Sequence, residues 1–342
     1  MKIKIFQRKF NQGTGSFGAA VGIFAFLLTV SLTILVLPAN SGAKDWPTRP
    51  ITIICPWAAG AAPDILARTM SPKISKILGV PVQVVNKPGA GGIIGTLEAV
   101  KSLPDGYTLL ADIGAISSIQ YAWSKDLPYK VEERTFISMV IMTPHGLVVS
   151  TKFPWKTVEE LVNAIRTDPS SISFANIGGT GTPDVCIAQF RAAMAAKGVD
   201  VSKLRPISYK GTGEALPFLA GGHVTFTFAT PSAATPLISA EKIRYLGMTS
   251  AERHRDWPNV PTMAEVGYPS VDLLYWSGLC GPPGLPANIV KILDNTVKEI
   301  FKDPDFIAKI DKLGMQPFYK TGDEFRKFAL SEGEAIKALK LK

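Results

Sequence analysis

The chain has 342 residues, 46% of them hydrophobic and 19% charged, which is too apolar for a disordered protein and long enough for two domains with substantial cores. Lys and Arg number 37 against 28 Asp and Glu, but Lys2, Lys4, Arg8 and Lys9 stand in an acid-free leader, and the 33 basic residues beyond it are scattered singly among acids. A counterion-release surface needs its cations gathered on one face, so the composition argues against nucleic-acid binding.

The leader comes first in chain order. Gly18 to Leu37 carry no charge and are followed by Ser41-Gly42-Ala43, small residues that a signal peptidase accepts. Cleavage after Ala43 makes residues 1–43 an export signal, so the mature protein is expected outside the cytoplasm. The same apolar stretch reaches the minimum length of a membrane span, so retention as an anchor is the alternative. Cys55, Cys186 and Cys280 lie far apart and form no Cys-x-x-Cys pair, so neither a zinc site nor a disulfide framework is indicated. Cys55 sits in an apolar run and reads as a small buried hydrophobe.

Beyond the leader, short β-branched runs alternate with helix-period segments, the pattern of an α/β protein with mainly parallel sheets. Ile51 to Cys55 reads as a strand. Pro56-Trp-Ala-Ala-Gly-Ala-Ala-Pro-Asp64 is a small-residue turn, and Asp64 to Leu78 is a helix with Ile65, Leu66, Met70 and Ile74 on one face, stopped by Gly79. Val82 to Val85, the helix Ala90 to Lys101 and the strand Tyr107 to Ala111 follow. Leu147 to Ser150 precedes a helix over Thr157 to Thr167, whose Thr157-Val-Glu-Glu160 reads as a capping box. Ile172 to Ala175 is a strand leading through Gly178-Gly-Thr-Gly-Thr-Pro-Asp184 into a helix that ends at Lys197. The Gly/Pro-rich stretch Gly278 to Pro286 separates this region from terminal helices at Asn288 to Phe301, Asp303 to Leu313 and Thr321 to Lys340.

Two strand, glycine-rich turn and helix units thus recur about 120 residues apart, as two lobes would offer helix N-termini to a shared crevice. With side chains no larger than methyl at Ala58 to Ala62, an anion can approach N–H groups that no intrahelical carbonyl has claimed. The chain reads as half of a carboxylate-binding cleft, repeated.

Those motifs carry a resemblance. Pro56 to Asp64, Asn86-Lys-Pro-Gly-Ala-Gly-Gly-Ile-Ile-Gly95, Pro104-Asp-Gly-Tyr-Thr-Leu109, Tyr209-Lys-Gly211, Pro231-Ser232, Thr249-Ser-Ala-Glu-Arg253 and Pro258-Asn-Val-Pro-Thr262 resemble, in the family's order, the Bug/TctC-type periplasmic substrate-binding proteins of tripartite tricarboxylate transporters. The resemblance implies a type II periplasmic binding protein fold: lobe 1 over residues 44–145 plus 265–342, lobe 2 over 146–264, and a ligand cleft between two α/β lobes. It implies a small organic acid as ligand, membrane subunits of a transporter as partners, a monomer when free, and no catalysis, cofactor or metal. Carried over by position, the ligand residues are Trp57, Ala59, Gly60 and Asp64 from the first turn and Gly178, Thr180, Gly181 and Thr182 from the second, completed by Ser117 and Ser232.

Departures from the family's pattern shape the expected ligand. Trp57 and Ala61 stand where Phe and a second Gly are common, which makes that wall bulkier. Asp184 takes the place of a frequent His and disfavours a second carboxylate unless it only caps the helix. Phe228-Ala-Thr230 lacks the acid often found before Pro-Ser, which argues against an amino-acid ligand. A hydrolase would need a base, and His145, His223 and His254 read as loop or surface residues with no Gly-x-Ser-x-Gly elbow nearby. A membrane-tethered sensor differs from the receptor only in whether Gly18 to Leu37 is retained.

Overall fold

The structure, a computed structural model, describes residues 46–124, 126–177, 181–209 and 211–339. The expected export signal at 1–43 lies outside these residues, and among them no helix is long and apolar enough to cross a membrane. From Trp46 onward the described residues form one compact unit.

Its strands are β1 (Ile51–Cys55), β2 (Val82–Asn86), β3 (Thr108–Ile113), β4 (Thr135–Pro144), β5 (Gly146–Ser150), β6 (Ser173–Asn176), β7 (Arg205–Ser208), β8 (Phe226–Ala229), β9 (Ile243–Met248), β10 (Leu274–Gly281) and β11 (Pro317–Thr321). They build two sheets, ordered β11-β4-β10-β3-β1-β2 and β7-β6-β8-β5-β9. The mainly parallel sheets expected from the alternation are mixed instead. β1 runs parallel to β2 and β3, but β10 is antiparallel to β3 and β4, and β5 is antiparallel to β8 and β9. The physical reason is the connectivity: β4 leads to β5 through the single residue His145, and β10 returns to the first sheet only after the segment 249–273.

The helices are α1 (Ala62–Leu78), α2 (Ile93–Val100), α3 (Gln120–Trp123), α4 (Val158–Thr167), α5 (Thr182–Ala196), α6 (Thr212–Ala220), α7 (Pro231–Ser239), α8 (Ala287–Phe301), α9 (Pro304–Lys312) and α10 (Gly322–Ala338). α1 stops as expected at Gly79, whose left-handed backbone (φ 72°) lets its N–H return to Ser75 O. At α4 the Thr157 hydroxyl accepts from Glu160 N–H, but the Glu160 carboxylate returns to Lys156 N–H rather than to Thr157, so the capping box is displaced by one residue. The Gly/Pro-rich stretch read as a separator begins inside β10. Gly278 is there because a side chain would meet Ser138 O and the Phe325 ring, both at 2.5 Å from its Cβ position.

One core cluster joins Ile51 and Ile53 to Leu66, Met70 and Ile74 of α1 and to Leu293, Val297 and Ile300 of α8. A second runs without a break from Leu110 and Ile116 through Trp276 and Leu273 to Phe190, Phe226 and Phe228. Each such side chain contributes about 1.5–3 kcal/mol by leaving water. The second cluster makes the interiors behind the two sheets continuous, which fixes the sheet edges that carry the site.

Candidate functional site

At the C-terminal end of β1 the chain makes its small-residue turn, and a five-residue network holds the turn open. Asp64 Oδ2 accepts from Gly60 N–H (2.9 Å), Arg68 Nε and Asn86 Nδ2 donate to Asp64 Oδ1 (3.0 and 2.8 Å), and Asn86 Nδ2 also reaches Trp57 O (3.0 Å). Gly60 has φ +82°, a left-handed conformation that a residue with a Cβ adopts only under strain. Burial alone raises the Asp64 carboxyl, but the hydrogen bonds from Gly60, Asn86 and Arg68 outweigh it and hold it below the usual carboxylate range.

The second turn repeats this device. At α5, Asp184 accepts from Ile177 N–H (2.8 Å) and Gly181 N–H (3.2 Å), so it is a capping acid, the role that leaves room for an anion beside it. Both helices therefore begin with a small residue, then Pro and Asp in the first turn: Ala62-Pro63-Asp64 and Thr182-Pro183-Asp184.

Between the sheets lies a cavity of about 570 Å³. Four helices begin on it. Ala62 of α1, Thr182 of α5, Thr212 and Gly213 of α6 and Ser232 of α7 all line it. In each helix the first backbone bonds begin later, at Ile65, Asp184, Glu214 and Ala233, so these lining N–H groups have no intrahelical carbonyl to serve. Ile113 and Ala115 at the end of β3, with His145 and Tyr275, form the floor. Among the described lining residues none is Asp, Glu, Lys or Arg. The field in the cavity is therefore set by four positive helix ends, each worth about 0.3–1 kcal/mol to an anion at the surface and up to about 2 when partly buried.

His145, expected in a loop or at a surface, is the one-residue loop between the sheets but is only 2% exposed there; its N–H donates to Thr249 Oγ1 (2.9 Å). Its Nδ1 is buried without a partner, as are Trp57 Nε1 and the Tyr275 hydroxyl. His254 is also buried, against Trp257, whereas His223 is exposed. Burial pushes the His145 imidazole down from 6.5 to about 3. A base depressed in this way is neutral in the fold, so stability is fully present above pH 6.5 and is lost as pH falls toward 3, because the unfolded chain takes the proton first. We expect the protein to lose about 2 kcal/mol between pH 7 and pH 5 through this group, and His145→Gln to remove that loss. Guanidinium melts of both proteins at the two pH values check it; equal losses would show that His145 is not the group responsible.

Of the residues expected at the site, Trp57, Gly60, Gly181, Thr182 and Ser232 line the cavity. Trp57 also packs against both core clusters, so it is wall and anchor at once. Asp64 is not among the lining residues, because its carboxylate is consumed within the turn, and Ala59, although exposed, does not line the cavity either. Ser117 is displaced furthest from expectation: fully buried, its hydroxyl donates to Asp112 Oδ2 (2.5 Å) and accepts from Arg134 Nη2, behind the cavity floor. Gly178 and Thr180 lie outside the described residues. Sequence reasoning missed His145, Tyr275, Thr212 and Gly213. The Tyr209-Lys-Gly211 motif pointed at the last two, since Gly211 caps α6.

The three cysteines are free and buried, Cys55 among them as expected. Other quoted motifs serve the scaffold. Tyr107 accepts Thr48 N–H (2.9 Å), and Arg253 pairs with Glu265 (3.0 Å) to close the loop over 253–265.

Comparison with known proteins identifies what the chain resembles. A family model described as the tripartite tricarboxylate transporter family receptor matches residues 66–341. A UPF0065 protein from the gbd 5' region of Cupriavidus necator is 31% identical over 323 residues, covering 94% of this chain and 95% of that one. Protein BugT of Bordetella pertussis is 30% identical over 316 residues, covering 92% and 93%. An R. palustris protein solved with adipate superposes with a TM-score of 0.77 at 26% identity, over 86% of this chain and 97% of that one.

Proposed function

The chain belongs to the tripartite tricarboxylate transporter receptor family, and from that membership we propose that it is an exported receptor that holds a small organic carboxylate without an amino group in the cavity between its sheets. The observation that carries this reading is the convergence of four helix N-termini on one cavity with no charged side chain among its described lining residues.

A carboxylate there receives charge-assisted hydrogen bonds from N–H groups of Ala62, Thr182, Thr212, Gly213 and Ser232 and from the Thr182, Thr212 and Ser232 hydroxyls. Water fills what the ligand leaves, which lets one frame accept acids of different length. An ammonium group would find no carboxylate among the described lining residues, and its desolvation would go uncompensated. The adipate bound to the R. palustris relative supports an aliphatic dicarboxylate as the first ligand to try. Closure of the two sheets' layers around the acid would give membrane transporter subunits a distinct surface to recognise. Trp57, Gly60, Gly181, Thr182 and Ser232 are the residues we assign to ligand contact, with lobes meeting at His145 and within 249–273.

A thermal-shift screen of the purified protein against aliphatic and aromatic mono-, di- and tricarboxylates, amino acids and sugars tests the reading. At a hundredfold its Kd a ligand stabilises the fold by about 2.7 kcal/mol, a shift of several degrees. A selective rise with one carboxylate class is expected. Selective rises with amino acids or sugars, or no response to any acid despite a cooperative melt, would overturn it.

A further inference from the structure

We propose that a second cavity, walled by α5, the return segment before β10 and α10, binds the charged head of a small organic cation, an alkyl guanidinium or alkylammonium. It is separate from the carboxylate cleft, has a volume of about 420 Å³, and is lined by Gln189, Asp272, Leu273, Phe328, Glu332 and Ile336 among others.

One buried acceptor in its lining lacks a donor. Gln189 donates Nε2 to Asp272 Oδ1 (3.0 Å), which commits the amide and leaves Oε1 buried with no partner, although the residue is only 7% exposed. A buried carbonyl oxygen without a donor is unfavourable, and an N–H arriving in the cavity would relieve it. Glu332 Oε2 accepts from Trp276 Nε1 (2.7 Å), and the Ser118 hydroxyl also bonds this carboxyl. Burial pushes the Glu332 carboxyl up to about 7, against the hydrogen bonds from Ser118 and Trp276, and the Asp272 charge adds to the rise. Among the described lining residues there is no Lys, Arg or His to compensate these two acids.

The shape of the lining selects the kind of cation. No group of three His, Cys, Asp or Glu among the described residues is placed to hold a metal ion. Leu273, Phe328, Ile336 and Leu339 instead provide an apolar wall for an alkyl stem, and a guanidinium fork has enough donors to meet Gln189, Asp272 and Glu332 together. α5 links the two cavities, because Thr182 begins it at the carboxylate cleft and Gln189 lies two turns further along.

The test is calorimetric titration of the purified protein with agmatine, which carries a guanidinium on a four-carbon stem. Saturable one-site binding is expected, weakened at least tenfold by Asp272→Asn and by Glu332→Gln. Asp272 is exposed, so its Asn variant keeps the fold even if the Glu332 variant does not. Gly213→Trp, which obstructs the carboxylate cleft, should leave agmatine binding unchanged, so this result is read independently of the acid screen. Absence of saturable binding, full affinity in Asp272→Asn, or loss of binding in Gly213→Trp would each overturn the proposal.

Discussion

Gly213→Trp and Gly60→Trp should each weaken binding of the acid identified by the screen at least 100-fold, about 2.7 kcal/mol, while both proteins melt cooperatively. The two glycines line the cavity from segments that follow β1 in one sheet and β7 in the other, and at both positions a Cβ meets nothing within 4 Å, so an indole has space to enter without displacing the backbone. They differ in what the fold is asked to bear. Gly213 has no positive φ and sits in the first turn of α6, where a side chain costs nothing. Gly60 is held at φ +82°, so any side chain there adds about 1 kcal/mol of strain. Ser117→Ala is the informative contrast. Its hydroxyl serves Asp112 and Arg134 rather than the cavity, so we expect acid affinity within twofold of the parent and a loss of stability instead. Titration calorimetry of the three variants separates the cases. Unchanged affinity in both glycine variants would place the ligand elsewhere, and a large loss in Ser117→Ala would return that residue to the ligand.

How much of this was legible depended on distance along the chain. The two walls that open α1 and α5 are written locally: a short apolar-rich strand, a run of small residues, then Pro and Asp in the first helical turn, all within fifteen positions. Local punctuation of that kind fixes backbone geometry without help from remote residues, so the strand Ile51–Cys55 and the stop at Gly79 match their expected positions. β4 is the opposite case. It is buried on both faces and shows no alternation, and its partners β10 and β11 come more than a hundred residues later, so neither its interior place nor its antiparallel pairing is readable from its own sequence. The burial of His145 is hidden for the same reason, since a lone His in a loop before a strand reads as exposed until both flanking strands are known to lie in different sheets. Ser117 is expected at the site only through the family resemblance, which does not show that a buried carboxylate five residues earlier captures its hydroxyl.

That carboxylate leads to the largest stability effect we expect. Asp112 and Arg134 are both fully buried, with Arg134 Nη1 at 3.4 Å from Asp112 Oδ1. Asp112 also accepts from Ile113 N–H (3.0 Å), Ser117 Oγ (2.5 Å) and the Cys280 thiol (3.3 Å), and Arg134 bonds Val131 O and lies beside the Tyr129 and Phe136 rings. The pair joins β3 to the start of β4, directly behind the Ile113 and Ala115 floor of the cavity. Removing one member strands the other as an uncompensated charge, which typically costs about 3–5 kcal/mol, so Arg134→Met should lower the guanidinium midpoint sharply. The pair itself is a weaker source of stability than that number suggests, because desolvating two ions offsets most of their attraction. Asp112→Leu combined with Arg134→Met should therefore recover a large part of the loss. A double-mutant cycle by guanidinium denaturation decides between a buried charge pair and simple packing: additive losses would show that the two side chains do not act as a pair, and recovery in the double variant would show that the penalty comes from the stranded charge.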